Sequence, residues 1–126
     1  MCKLLVESYR DRHIHNEVLS VYSSFNLNLC VSNNMLERQI EKYLYDQVTK
    51  RGGLCYKWTA PQQAGVPDRI VMLNCQIWFI ELKSSTGKLS KLQKKTLDKI
   101  RLQGCNTMVI NSKELVDNLV DYINGT

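Results

Sequence analysis

The chain has 126 residues, 44% of them hydrophobic, with a net charge of +5. That length makes one domain the default expectation, and the apolar content is enough for a small core. The five cysteines, Cys2, Cys30, Cys55, Cys75 and Cys105, are odd in number and contain no CxxC pair, which argues against a disulfide framework or a zinc site. Cys55, Cys75 and Cys105 read as small buried residues in a reducing compartment. The N-terminal apolar run breaks after Val6, so it does not read as a secretory signal, and no later run is long enough to span a membrane. The expectation is an intracellular protein, in the cytoplasm or inside a host cell.

Residues 1–34 differ in character from the rest. Phe25 to Val31 alternates apolar and polar residues, which predicts a half-buried strand. His13 and His15 have no further metal ligand near them in sequence and read as incidental. From Asn34 or Met35 a helix is predicted, with Leu36, Ile40, Tyr43, Leu44, Gln47 and Val48 near helical spacing and Gly52-Gly53 ending it. Glu37 and Glu41 lie one turn apart on it. Leu54 to Trp58 reads as a strand, Thr59 to Gly65 as a loop, and Ile70 to Leu73 as a second strand. Asn74-Cys75-Gln76 reads as a turn into a third strand, Ile77 to Lys83.

Ser90-Lys91-Leu92-Gln93 matches a capping box and opens a second helix. Leu89, Leu92, Thr96 and Ile100 are predicted to form its inner face, and Gly104 to close it. Thr107 to Ile110 is a fourth strand. Ser112 caps a last helix with Leu115, Leu119 and Ile123 inward. The predicted order from residue 35 is α-β-β-β-α-β-α, an α/β fold with a central mixed sheet flanked by helices.

Chemistry concentrates in Gly65-Val66-Pro67-Asp68-Arg69 and, thirteen positions after Asp68, Glu81-Leu82-Lys83. Strand alternation puts Glu81 and Lys83 on one face and Leu82 on the other. If the second and third strands pair through the tight turn, Asp68 arrives beside Glu81. Two carboxylates that close repel unless a cation joins them, and Mg2+ takes one or two carboxylates. That arrangement suits metal-assisted phosphodiester cleavage, with Lys83 beside the metal-bound waters and the scissile phosphate. Positive charge follows directly. From Lys83 to Arg101 there are seven basic residues and one acid, a net +6, which leaves −1 for the remainder. Arg69, Lys88, Lys91, Lys94 and Lys95 are the candidate DNA contacts, since lysines around a cleft neutralise phosphates. Lys57 is a further candidate for the cleft. Trp58 and Trp78 read as core or interface aromatics before stacking platforms.

Glu41, the Gly65–Arg69 motif, Glu81-Leu82-Lys83, Gly87 and Gln93 together closely resemble the VRR-NUC domain, the virus-type replication–repair nucleases of the PD-(D/E)xK superfamily. The resemblance runs from about Met35 to Ile123. It implies a restriction-endonuclease-like core and a Mg2+-dependent DNA endonuclease in which Mn2+ can substitute. It implies metal ligands at Asp68, Glu81 and the backbone carbonyl of Leu82, a catalytic lysine at Lys83, and a first-helix glutamate that assists metal or water binding. Glu41 matches that glutamate best, with Glu37 as the alternative. Gln93 falls where the family has a glutamine at the active-site edge. The resemblance also implies a homodimer cutting branched DNA such as four-way junctions; the alternative reading is a nuclease-fold DNA-binding module that no longer cuts, or an accessory subunit. Residues 1–34 have no counterpart in the pattern. They read as an added arm packing on the core or a partner, or else Met35 is an alternative start, while 35–126 form the nuclease domain.

Overall fold

The structure, a computed structural model, describes residues 35–125. The predicted strand at residues 25–31, the arm at 1–34 and the two histidines lie outside the described residues. The described elements are α1 (Glu37–Lys50), β1 (Leu54–Lys57), β2 (Arg69–Leu73), β3 (Gln76–Leu82), α2 (Lys91–Leu102), β4 (Asn106–Ile110) and α3 (Lys113–Gly125). This is the predicted α-β-β-β-α-β-α order.

The four strands form one sheet in the order β1-β2-β3-β4. The first three run antiparallel, and β4 returns parallel to β3 through α2. The hairpin between β2 and β3 closes over Asn74 and Cys75, both at positive φ (48° and 61°). A two-residue turn with positive φ at both positions matches the twist of the flanking strands, and asparagine tolerates that region. Cys75 is therefore exposed at the tip, contrary to its predicted burial, because the turn points it outward.

Register assigns every side chain to a layer. Cys55, Val71, Trp78 and Ile80 face one side of the sheet and are buried there. That side meets α1 and α3: Ile40, Leu44 and Val48 of α1 and Leu115, Val116, Leu119, Val120 and Ile123 of α3 are all buried. Trp78 meets Tyr122 of α3 edge-on, with ring centroids 6.0 Å apart. The two helices are joined where Tyr43 donates to Asp117 at 2.8 Å. The opposite side of the sheet carries α2.

Local chemistry explains the element ends. The first helix starts at Glu37, later than the sequence suggests. Leu36 is extended, its N–H donates to the Gln39 side chain at 3.0 Å, and the Met35 carbonyl accepts from Ser85 N–H. A hydrophobic cap residue offers no side-chain acceptor, so Gln39 supplies the compensating contact from inside the helix. At α2 the predicted box is present: Ser90 Oγ accepts from Gln93 N–H and the Gln93 carbonyl oxygen accepts from Ser90 N–H. Ser112 Oγ accepts from Leu115 N–H, as predicted for the last helix.

The predicted inner face of α2 needs correction. Leu97 is its buried residue, whereas Leu92 is 47% exposed. The inward stripe runs through Gln93, Leu97 and Ile100, so it includes a polar residue that a purely apolar reading passes over. Leu92 and Thr96 instead flank the loop before β2. A Cβ on Gly65, whose φ is +81°, would lie 2.9 Å from Leu92 Cγ and 3.3 Å from Thr96 Oγ1. Only glycine allows that backbone conformation and that approach together.

This difference is open to test by chemical denaturation. Leu97→Ala is expected to destabilise the fold by about 2–5 kcal/mol, and Leu92→Ala by only about 1 kcal/mol. Equal losses would return the inner face to the Leu92 stripe.

Candidate active site

The registers place the motif residues in one row across the sheet. Lys57 pairs with Arg69 and Arg69 with Ile80, so one step further Trp58, Asp68 and Glu81 stand opposite one another; Glu81 in turn pairs with Val109. Trp58 N–H donates to the Asp68 carbonyl at 2.9 Å, extending the ladder by that step. This row lies on the α2 side of the sheet.

Glu81 is the centre of the site. It is 1% exposed on a very apolar strand. Lys83, two residues on and on the same face, places Nζ 3.0 Å from Glu81 Oε1. Gln93 donates Nε2–H to the same oxygen at 2.6 Å. The capping box has already engaged the Gln93 carbonyl oxygen with Ser90 N–H at 2.9 Å, which turns its amide group toward Glu81. Both donors therefore converge on Oε1, and Glu81 Oε2 is buried with no hydrogen-bond partner among the described residues. Asp68 is fixed differently: its Oδ2 accepts the Leu82 backbone N–H at 2.8 Å.

Burial pushes the Glu81 carboxyl up, Lys83 pulls it part of the way back, and the nearby charges of Asp68 and Glu37 raise it, leaving it at about 7. A buried carboxylate with one satisfied oxygen and a second acid beside it is short of positive charge. Among the described residues no three His, Cys, Asp or Glu side chains come together as a metal cluster. The available donors are two carboxylates and backbone oxygen. That set suits Mg2+, which accepts one or two carboxylates and completes its octahedron with water. The orphaned Oε2 fits such an ion.

The other candidates divide by sheet face. Arg69 lies on the α1 side, where Nε binds Glu41 Oε1 at 2.9 Å. Its side chain is 18% exposed, and the guanidinium is occupied by that pair. Glu41 is thus held by Arg69, while Glu37 is the first-helix acid whose charge reaches Glu81. Lys57 shares the face of Arg69 through their pairing, so it does not enter the cleft by the expected route. Lys88, Lys91, Lys94, Lys95 and Lys99 are exposed along and just before α2. Asp68, Glu81, Lys83 and Gln93 come together, Glu41 and Arg69 pair with each other, and the lysines form a solvated basic surface beside the site.

Residues 60–114 match the family model of the VRR-NUC domain. The chain is 38% identical over 80 residues to "Putative nuclease p44" of Acyrthosiphon pisum secondary endosymbiont phage 1, covering 63% of this chain and 86% of that protein. The chain belongs to the VRR-NUC family. Its fold agrees: a solved VRR_NUC domain superposes with a TM-score of 0.63 at 30% identity, covering 68% of this chain and 95% of that one. A second, a VRR_NUC domain protein at 15% identity and TM-score 0.53, covers 73% and 88% and repeats the fold. The VRR-NUC match includes Asp68, Glu81, Lys83 and Gln93, whereas Glu37 and Glu41 precede it.

The raised Glu81 pKa carries a stability consequence whose sign is fixed. A carboxyl whose folded pKa lies above its unfolded value holds more protons in the folded state. Stability of the metal-free protein is then greatest below about pH 4.5 as far as this group is concerned, and falls as pH rises through about 7. In EDTA, Glu81→Gln should raise Tm relative to wild type at pH 8, with the difference shrinking towards pH 5. A pH-independent difference would show that Glu81 does not titrate in this window.

Proposed function

We propose that this VRR-NUC chain is a divalent-metal-dependent DNA endonuclease whose metal is held by Asp68, Glu81 and the Leu82 backbone carbonyl. The observation that carries the reading is the buried Glu81 carboxylate, with Oε1 engaged by Lys83 and Gln93 and Oε2 without a partner among the described residues. Mg2+, with Mn2+ able to substitute, supplies Lewis acidity there, screening phosphoryl charge and easing ionisation of water. The protein's own groups do the rest. Asp68 is oriented by the Leu82 N–H and Glu81 by Gln93, so both carboxylates are set before substrate arrives. The Lys83 ammonium is placed to stabilise negative charge on a non-bridging phosphate oxygen as water attacks phosphorus.

The first-helix acid has two candidates. Glu41 fits the family pattern but reaches the site only through Arg69; Glu37 reaches Glu81 by its charge. Lys88, Lys91, Lys94 and Lys95 are proposed to grip the backbone of DNA beside the site, and Arg69 to brace the motif loop through Glu41 in place of the direct DNA contact expected of it. Branched DNA, with a four-way junction as leading substrate, and a homodimer presenting two sites follow from family analogy and from the match of two-fold symmetry to a substrate with two strands to cut. The phage relative supports action inside a host cell. No helix among the described residues is long and apolar enough to cross a membrane.

Cleavage of linear, flap and four-way DNA in Mg2+ and Mn2+ tests this reading. Asp68→Ala, Glu81→Ala and Lys83→Ala should each lose on the order of 100-fold or more of the cleavage rate. Gln93→Ala should weaken metal affinity about 10- to 100-fold. Binding without cleavage in both metals would favour the silent DNA-binding module, and an active Lys83→Ala protein would remove the role given to Lys83. Between the two glutamates, Glu37→Gln should slow cleavage with little effect on stability. Glu41→Gln should cost on the order of 1 kcal/mol through loss of the Arg69 pair. The reverse pattern would make Glu41 the acid of the site.

A further inference from the structure

The row that brings Asp68 and Glu81 together has a third member that the proposed chemistry does not use. Trp58, one residue beyond β1, stands opposite Asp68, its backbone N–H donating to the Asp68 backbone carbonyl at 2.9 Å. Its indole leans on Phe79, with ring centroids 5.3 Å apart and planes at 50°. Phe79 lies two residues before Glu81 and so on the same face. Trp78, a core tryptophan, is 3% exposed, whereas Trp58 keeps an intermediate exposure. Trp58 is thus a braced aromatic ring, partly open to solvent, beside the carboxylate row.

We infer that Trp58 is a base-stacking residue that holds an unpaired nucleobase next to the scissile phosphate; the inference rests on the nuclease reading of the same site. Neighbouring strands lie about 4.8 Å apart. Trp58 is one strand away from Asp68 and two from Glu81, about 5 and 10 Å across the sheet. A phosphate at Asp68 and Glu81 therefore puts the adjacent base within reach of the indole. Contact with Phe79 limits the motion of the ring, so little side-chain freedom is lost when a base stacks on it. Inside a duplex both faces of every base are covered by neighbours. An indole gains a stacking partner only where a neighbour is missing, at a branch, a flap or a single strand. Trp58 thereby gives the site a preference for unpaired nucleotides, which basic residues that read only the backbone do not supply.

The chain has two tryptophans, and the buried Trp78 provides a constant background, so Trp58 reports on its own environment. The full-length Lys83→Ala protein in Mg2+ is mixed with short labelled oligo-dT and with a fully paired duplex. Anisotropy measures binding and tryptophan emission measures stacking. Expected are quenching with oligo-dT and none with the bound duplex. Adding Trp58→Ala should weaken oligo-dT binding on the order of five- to a hundredfold and leave duplex binding unchanged. Trp58→Phe, which keeps an aromatic face, should stay within a few-fold of the parent and remove the quench; it serves if the alanine variant fails to fold. Bound oligo-dT with unchanged emission, no binding of oligo-dT, or equal weakening of both substrates in a folded variant would overturn the inference. A wild-type protein that cuts nothing yet shows the quench loses the nuclease reading and keeps the stacking site. A protein that cuts while Trp58 stays silent does the reverse.

Discussion

The register between β2 and β3 is the constraint on which the site depends. Side chains alternate along a strand, so a slip of one residue would carry Asp68 to the α1 side of the sheet and leave Glu81 alone. The two-residue turn at Asn74 and Cys75 holds the register, with both residues in the positive-φ conformation that suits a hairpin. The burial of Val71, Leu73, Trp78 and Ile80 on the opposite face enforces it, because a slip would turn the slipped strand's buried residues away from that face. The acids are therefore brought together by hydrophobic burial and turn geometry, against their own repulsion.

Once paired, the carboxylates are made useful by unequal satisfaction. Glu81 receives two donors on one oxygen and none on the other among the described residues. A buried carboxylate in that condition is costly, which its raised pKa expresses. The arrangement persists because α2 is fixed from several directions. Leu97 anchors its inner side, Leu92 and Thr96 abut Gly65, and the Ser90–Gln93 box caps its start. Gln93 links these roles, since its carbonyl oxygen caps the helix while its amide group orients Glu81. The stability of the helix end and the geometry of the site are in this way carried by one side chain.

The two faces of the sheet divide the remaining work. The α1 and α3 side holds the core and the Arg69–Glu41 pair, which ties the motif loop to the first helix. The α2 side holds the carboxylate row, the exposed lysines and Trp58. Beside the proposed cation site, an aromatic ring stands in line with the acids. Charge on α2 can draw in any nucleic acid backbone; only a group that meets the bases can distinguish paired from unpaired substrate.

Much of this was legible in the sequence, and the part that was not has a physical reason. Local signals determined the element order, the hairpin, the caps at Ser90 and Ser112, and the common face of Glu81 and Lys83, because turn chemistry, capping and strand alternation act over a few residues. They also carried the motif that pointed to the family. Three things required the tertiary structure. The inward stripe of α2 passes through Gln93 and Leu97, since the surface it covers contains a buried acid. Glu41 is drawn to Arg69 across 28 positions of sequence, leaving Glu37 as the acid felt by Glu81. Trp58 meets Asp68 only because β1 pairs with β2 after a long intervening loop, and pairing over such a distance is decided by packing of the whole sheet and not by any local pattern.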